Sequence, residues 1–140
     1  MTVDLQRADG IVRLTLNRPA KRNAMTDAMW SQFAEHLDGL DPGGRDRVLV
    51  LTGAGGAFCG GSDVGGLLDD PDSLGERIAV SNRCVLAMRE LPIPTVALVD
   101  GIAAGSGANL ALACDLVYAS GRARFAQLFI HRGLSLDSGA

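Results

Sequence analysis

The sequence predicts an α/β fold, and three observations carry that prediction. An alternating hairpin opens the chain, short continuous apolar runs recur behind it, and helical segments separate those runs. Composition fits one globular domain over residues 1–140. Hydrophobic residues make up 47% and charged residues 21% of the chain, close to globular averages, and a chain this long buries roughly two-thirds of its unfolded surface. No internal repeat or linker divides it.

Val12, Leu14 and Leu16 alternate with Arg13 and Thr15, the period of a half-buried strand; Val3 and Leu5 do the same upstream. Asp9-Gly10 between them suits a type I′ turn, which needs positive φ. Asn17-Arg18-Pro19 ends the second strand, and a basic loop runs to Asn23. A helix starts at Thr26, with Asp27 favouring its dipole. Trp30, Phe33, Leu37 and Leu40 form its apolar face, and Asp41-Pro42-Gly43-Gly44 stops it. Residues 47–52 and 95–99 are continuous apolar runs, the pattern of parallel strands buried on both faces. Between them, residues 53–66 hold seven glycines. Ser73-x-x-Glu76 is a capping box that opens a second helix. Ile78, Val85, Met88 and Leu91 line its inner side, and Pro92-Ile93-Pro94 breaks it. After a turn at Asp100-Gly101, residues 103–113 read as one small, apolar helix and 115–119 as a further strand.

Charge and composition exclude several functions. The net charge is −3, the pI is about 5.2, and no basic footprint for nucleic acid exists. Six aromatic residues offer no stacking platform for bases. Cys59, Cys84 and Cys114 have neither disulfide-framework nor zinc-site spacing, so no metal is expected. They read as buried thiols in a reducing compartment. With no secretory signal and no apolar run of about 18 residues, a cytoplasmic location without membrane contact is the expectation.

Two glycine-rich turns each follow an apolar strand. The second, Gly105-Ser106-Gly107, opens a helix, whose free N–H groups carry partial positive charge. Two such N–H groups converging on one oxygen make an oxyanion hole. The plainer alternative is tight turns and close helix–sheet packing. Phosphate loops fail: Gly56-x-x-x-x-Gly61 continues as Ser62-Asp63, without the required lysine. A serine hydrolase would need Ser106, within Ala104-Gly105-Ser106-Gly107-Ala108, to combine with Asp115 and His131.

Three ordered segments resemble the crotonase (enoyl-CoA hydratase/isomerase) superfamily along nearly all of the chain. They are Leu16-Asn17-Arg18-Pro19-Ala20-Lys21-Arg22-Asn23-Ala24-Met25, then Leu51-Thr52-Gly53 through Cys59-Gly60-Gly61-Ser62-Asp63, then Pro94-Thr95-Val96-Ala97 through Ala113-Cys114-Asp115. The resemblance implies a spiral of ββα units that takes an acyl-CoA substrate, with coenzyme A present only as part of the thioester. It implies a thioester oxygen held by the backbone N–H groups of Ser62 and Ser106, where the family commonly has Ala and Gly. It places Lys21, Arg22, Ala24, Gly60, Asp63, Val64 and Gly65 against the CoA moiety, with Arg18 beside them.

The sequence departs from the family where hydratases carry two glutamates: Asn109 and Phe129 stand there. Asn has no basic site near pH 7. Asp137 matches the acid of isomerase branches, although Asp-Ser is also good helix N-cap chemistry. Family members are nearly twice as long. The resemblance therefore implies that the C-terminal helical part is missing, that the single domain is truncated, and that a complete fold would be a homo-oligomer. The expectation is a hydratase/isomerase-type enzyme that moves a proton through Asp137 in preference to adding water. The alternative is an inactive fragment that binds CoA or a partner chain.

Overall fold

In a computed structural model, which describes residues 1–63, 65, 74–133, 135–137 and 139, the opening hairpin forms across Asp9 and Gly10. Both sit at positive φ, 52° and 83°, as a type I′ turn requires. In chain order the strands are β1 (Thr2–Ala8), β2 (Ile11–Asn17), β3 (Val48–Gly53), β4 (Thr95–Val99), β5 (Ile102–Ala104), β6 (Leu116–Ala119) and β7 (Arg124–Ala126). The helices are α1 (Asp27–Asp38), α2 (Leu74–Arg89) and α3 (Ser106–Ala113). One sheet runs β1-β2-β3-β4-β6, antiparallel at the hairpin and parallel beyond it; β5 and β7 make a second, two-stranded parallel sheet.

Thr26 caps α1: its hydroxyl accepts from the Met29 N–H at 3.2 Å. Met29, Trp30, Phe33 and Leu37 are the buried face, with Leu40 partly buried behind them. Helix α2 presents Ser81, Cys84, Val85 and Met88 inward. Ser73 of the expected capping box lies outside the described residues. These helices share one core with the sheet residues Val12, Leu14, Leu16, Leu49, Leu51 and Ala97.

Two expectations are corrected. β3 and β4 are not buried on both faces: Leu49, Leu51, Thr95, Ala97 and Val99 are buried, while Val48, Val50, Val96 and Leu98 keep partial exposure. The helical residues of the core pack with the first set, so the strands alternate despite their continuous apolar sequence. On β6 exposure is general, reaching 52% at Leu116 and 63% at Tyr118.

Residues 103–113 are not one helix. Ile102–Ala104 is a strand paired with Arg124–Ala126, and Gly105 at φ 52° separates it from α3. This strand does a second job. The Ile102 carbonyl accepts from the Phe58 and Cys59 N–H groups, and the Ala104 N–H donates to the Cys59 carbonyl. The glycine-rich loop is thereby tied to the start of α3. All three cysteines are free and buried, and burial pushes the Cys59 thiol up to about 12, an inert state near neutral pH.

Candidate functional site

The loop after β3 is shaped by buried polar bonds. Asn23, fully buried and at φ 57°, donates to the Ala54 and Ala57 carbonyls at 2.8 and 2.7 Å and accepts from the Arg18 N–H at 2.8 Å. Met25 clasps the loop from the other side. Its N–H donates to the Gly61 carbonyl and its carbonyl accepts from the Asp63 N–H, at 2.8 and 2.7 Å. Those bonds flank Ser62, so the N–H of Ser62 itself points away from Met25. Gly61 has φ 97°, and a Cβ there would lie 2.9 Å from the Ala104 carbonyl oxygen. Only glycine brings this loop so close to β5 without strain.

The start of α3 forms the adjoining surface. Gly107 packs directly on Cys59, where an added Cβ would come within 2.6 Å of both its Cβ and its carbonyl oxygen. Ser106, the first residue of α3, has an N–H with no acceptor inside the helix. The two serines are adjacent: Ser62 Oγ and Ser106 Oγ lie 3.0 Å apart. The indole Nε1–H of Trp30 donates to Ser62 Oγ at 3.3 Å. Both glycine-rich turns thus open on the same cavity, of about 570 Å³, whose lining includes Trp30, Gly60, Ser62, Asp63, Ser106 and Asp137.

Among the described residues three carboxylates line this cavity, and their surroundings differ. Asp63 accepts from the Gly65 N–H at 2.9 Å and from Arg18 Nη1 at 2.7 Å. The Gly65 bond first and Arg18 second hold its carboxyl below the ordinary value, against the opposing effect of burial. Asp27 is paired with Arg77 at 2.9 Å. Among the described residues Asp137 has no cation partner, and its Oδ1 is buried without a hydrogen-bond partner. The backbone of Asp137 is tethered, because Asn109 Nδ2 donates to its carbonyl at 2.9 Å. Asn109 Oδ1 in turn accepts from Gln127 Nε2 at 2.7 Å. The Asn109 amide is therefore engaged on both its oxygen and its nitrogen. Phe129 also lines the cavity, with its ring about 3.7 Å from the point where a Gly105 Cβ would stand.

The residues singled out from sequence divide as follows. Ser62, Ser106, Asp137, Gly60 and Asp63 meet at the cavity. Lys21 and Arg22 are exposed beside it and Ala24 is half-buried; the Arg22 carbonyl accepts from the Gly60 N–H at 2.8 Å, which fixes that loop to the cavity edge. Arg18 is a brace, donating to both Asp63 and the Ala24 carbonyl. Gly65 contributes its N–H to Asp63, and Val64 lies outside the described residues. A Ser106–Asp115–His131 triad is not assembled. The Ser106 hydroxyl pairs with Ser62, and Asp115 accepts from the N–H and hydroxyl of Thr95 at 2.8 and 2.9 Å. His131 is exposed at the rim of the same cavity.

Sequence reasoning missed the polar role of Trp30, which read only as part of an apolar face. It also missed Arg77 and Gln127, for which no motif offered a signal. Among the described residues no group of three or more His, Cys, Asp or Glu is placed to hold a metal ion, and no helix is long and apolar enough to cross a membrane.

Known proteins share this chain's sequence pattern and fold. The profile of the enoyl-CoA hydratase/isomerase family matches residues 6–140. A 1,2-epoxyphenylacetyl-CoA isomerase of Escherichia coli K12 is 39% identical over 135 residues, covering 93% of this chain and 52% of the relative. A trans-2-decenoyl-[acyl-carrier-protein] isomerase of Streptococcus mutans is 32% identical over 136 residues, covering 94% and 52%. The crystal structure of an enoyl-CoA hydratase from Polaromonas sp. JS666 superposes with a TM-score of 0.92 at 31% identity, covering 99% of this chain and 56% of that one. The chain spans about half the length of the curated relatives it matches.

Proposed function

The chain belongs to the enoyl-CoA hydratase/isomerase family, with the crotonase-like fold, and on that premise we propose that its cavity binds an acyl-CoA thioester and isomerises it by proton transfer through Asp137. The observation that carries this reading is the contrast among the three described cavity carboxylates. Asp27 and Asp63 are each paired with an arginine, whereas Asp137 presents a buried oxygen with no partner among the described residues. A carboxylate free of a cation is the one available to take a proton.

The chemistry needs a single acid–base group. The Asp137 carboxylate removes a proton from carbon 2 of a 3-enoyl thioester. The electron pair moves onto the thioester oxygen, giving a dienolate, and the N–H groups of Ser62 and Ser106 donate to that oxygen. Electrons return from the oxygen, carbon 4 takes the proton from the Asp137 carboxyl, and the double bond rests between carbons 2 and 3. Each backbone donor is worth roughly 3–4 kcal/mol to such an oxyanion. Hydration would need a second group to hold and activate water. Asn109 is occupied by Gln127 and the Asp137 carbonyl, and Phe129 has no polar atom, so proton shuttling is the better supported reaction. Gly60 and Asp63, with Lys21, Arg22 and Ala24 on the neighbouring loop, border the side assigned to the CoA moiety. Val64 and Gly65 continue that side by position in the sequence.

The test is to supply 3-enoyl-CoA and 2-enoyl-CoA separately to the 140-residue chain. Formation of the conjugated thioester from the first, without water addition to the second, is the expected result. Dominant hydration would overturn the preference for isomerisation. Turnover of neither would overturn the enzymatic reading in favour of a chain that only binds.

A further inference from the structure

The Asn109 amide has only one workable orientation. Its Nδ2 donates to the Asp137 carbonyl at 2.9 Å, and its Oδ1 accepts from Gln127 Nε2 at 2.7 Å. A backbone carbonyl accepts and never donates, so the Asp137 end of this row demands an N–H. The other end of the same amide is then an oxygen, and position 127 has to answer it with a donor. The row therefore runs in one direction, from Gln127 through Asn109 to Asp137.

Both ends of the row are anchored by the fold. Asn109 is 4% exposed and stands one turn after Ser106 on α3, so the two residues share a helix face. Gln127 directly follows β7, and the Ala126 carbonyl beside it accepts from the Gly105 N–H at 2.9 Å. Gln127 itself is exposed, so its side chain adds little to the core. The cavity lining includes Asp137 but neither Asn109 nor Gln127. We propose that Gln127 is a positioning residue for the isomerisation: by locking the Asn109 amide, it sets where Asp137 stands relative to the N–H of Ser106. This inference rests on the reading of Asp137 as the acid and adds a residue that acts through it. The carbonyl and the carboxyl of Asp137 share one Cα, so a shift of the first is passed to the second. An acceptor at position 127 draws the Asn109 N–H groups toward itself, and the tether of Asp137 becomes a contact between two oxygens.

The test compares Gln127→Glu and Gln127→Lys with the parent 140-residue chain, by steady-state conversion of a 3-enoyl-CoA and by melting temperature. Glutamate matches glutamine in size but, ionised near neutral pH, only accepts; lysine only donates. A charge effect on Asp137 alone runs the other way, because a neighbouring anion strengthens that base and a cation weakens it. The expected result is that kcat of Gln127→Glu falls by about tenfold or more, with KM and melting temperature near the parent values. Gln127→Lys keeps most of the parent's kcat. Parent-like kcat in Gln127→Glu would overturn this inference and leave the Asp137 reading standing. A loss in Gln127→Lys as large as in Gln127→Glu would overturn the directional lock. A melting temperature that falls together with the rate would replace positioning by a structural role. No conversion by the parent would overturn both readings together.

Discussion

The surface made by residues 57–63 and the start of α3 is fixed by backbone bonds and buried latches, whereas the described residues of 127–137 are tied to α3 by side chains. On the first, Cys59 bonds β5 in both directions, Met25 clasps Gly61 and Asp63, and Asn23 holds the loop from beneath. On the second, the described tether of Asp137 is one Asn109 amide, itself steadied by Gln127. The difference separates two kinds of chemistry. Backbone N–H groups come with the fold and survive side-chain exchange, so the proposed donors at Ser62 and Ser106 do not depend on their hydroxyls. The proposed acid is a single side chain whose described tether is one amide, so on this reading the reaction type rests on side-chain contacts.

This contrast can be broken first on the rigid side. Asn23→Ala would strand the buried Ala57 carbonyl, the half-buried Ala54 carbonyl and the Arg18 N–H and put alanine at φ 57°. Unsatisfied buried groups and left-handed backbone together predict a loss of about 2–4 kcal/mol, measured by urea unfolding. Gly107→Ala would press a methyl group into Cys59, costing about 1–3 kcal/mol by overpacking, read as a lower melting temperature. On the other side, Asn109→Ala removes the described Asp137 tether. Stability falls by only about 1 kcal/mol, but kcat drops by about 10–100-fold from lost alignment of the acid. KM stays near the parent value, which a merely structural role would not predict.

The smallest expected effect lies away from the site. Thr95, through its N–H and then its hydroxyl, holds the Asp115 carboxyl below its ordinary value of 3.8. A depressed folded-state pKa gives stability that is present above 3.8 and lost as pH falls through the lower folded value. Asp115→Asn therefore costs at most about 1 kcal/mol at pH 7, given the exposure of the residue. The gap from the parent closes below about pH 3.8, as stability measured across the acid range will show.

What could be read from sequence was mostly local. Asp9-Gly10, the Thr26 cap and the glycine turn at Gly105 each depend on a few neighbouring residues, and each formed as expected. The strand at Ile102–Ala104 was illegible because three apolar residues, two of them alanine, carry no period. Its extended state comes from pairing with Arg124–Ala126, some twenty positions on. The burial of β3 and β4 was overread for the same reason, since whether a second face is covered depends on tertiary packing. At the site, the motif resemblance brought Ser62, Ser106 and Asp137 forward. The indole bond of Trp30 and the Gln127–Asn109 relay join distant segments and left no mark in spacing.

The most direct measurement is steady-state kinetics and thioester affinity of Asp137→Asn beside the parent, using a 3-enoyl-CoA. The substitution keeps the size of the side chain and removes its basic oxygen. The account predicts that kcat falls by at least about 100-fold while affinity stays within a few-fold, because the backbone surface still holds the thioester. Turnover unchanged in Asp137→Asn would contradict it, and so would a loss of affinity as large as the loss of rate.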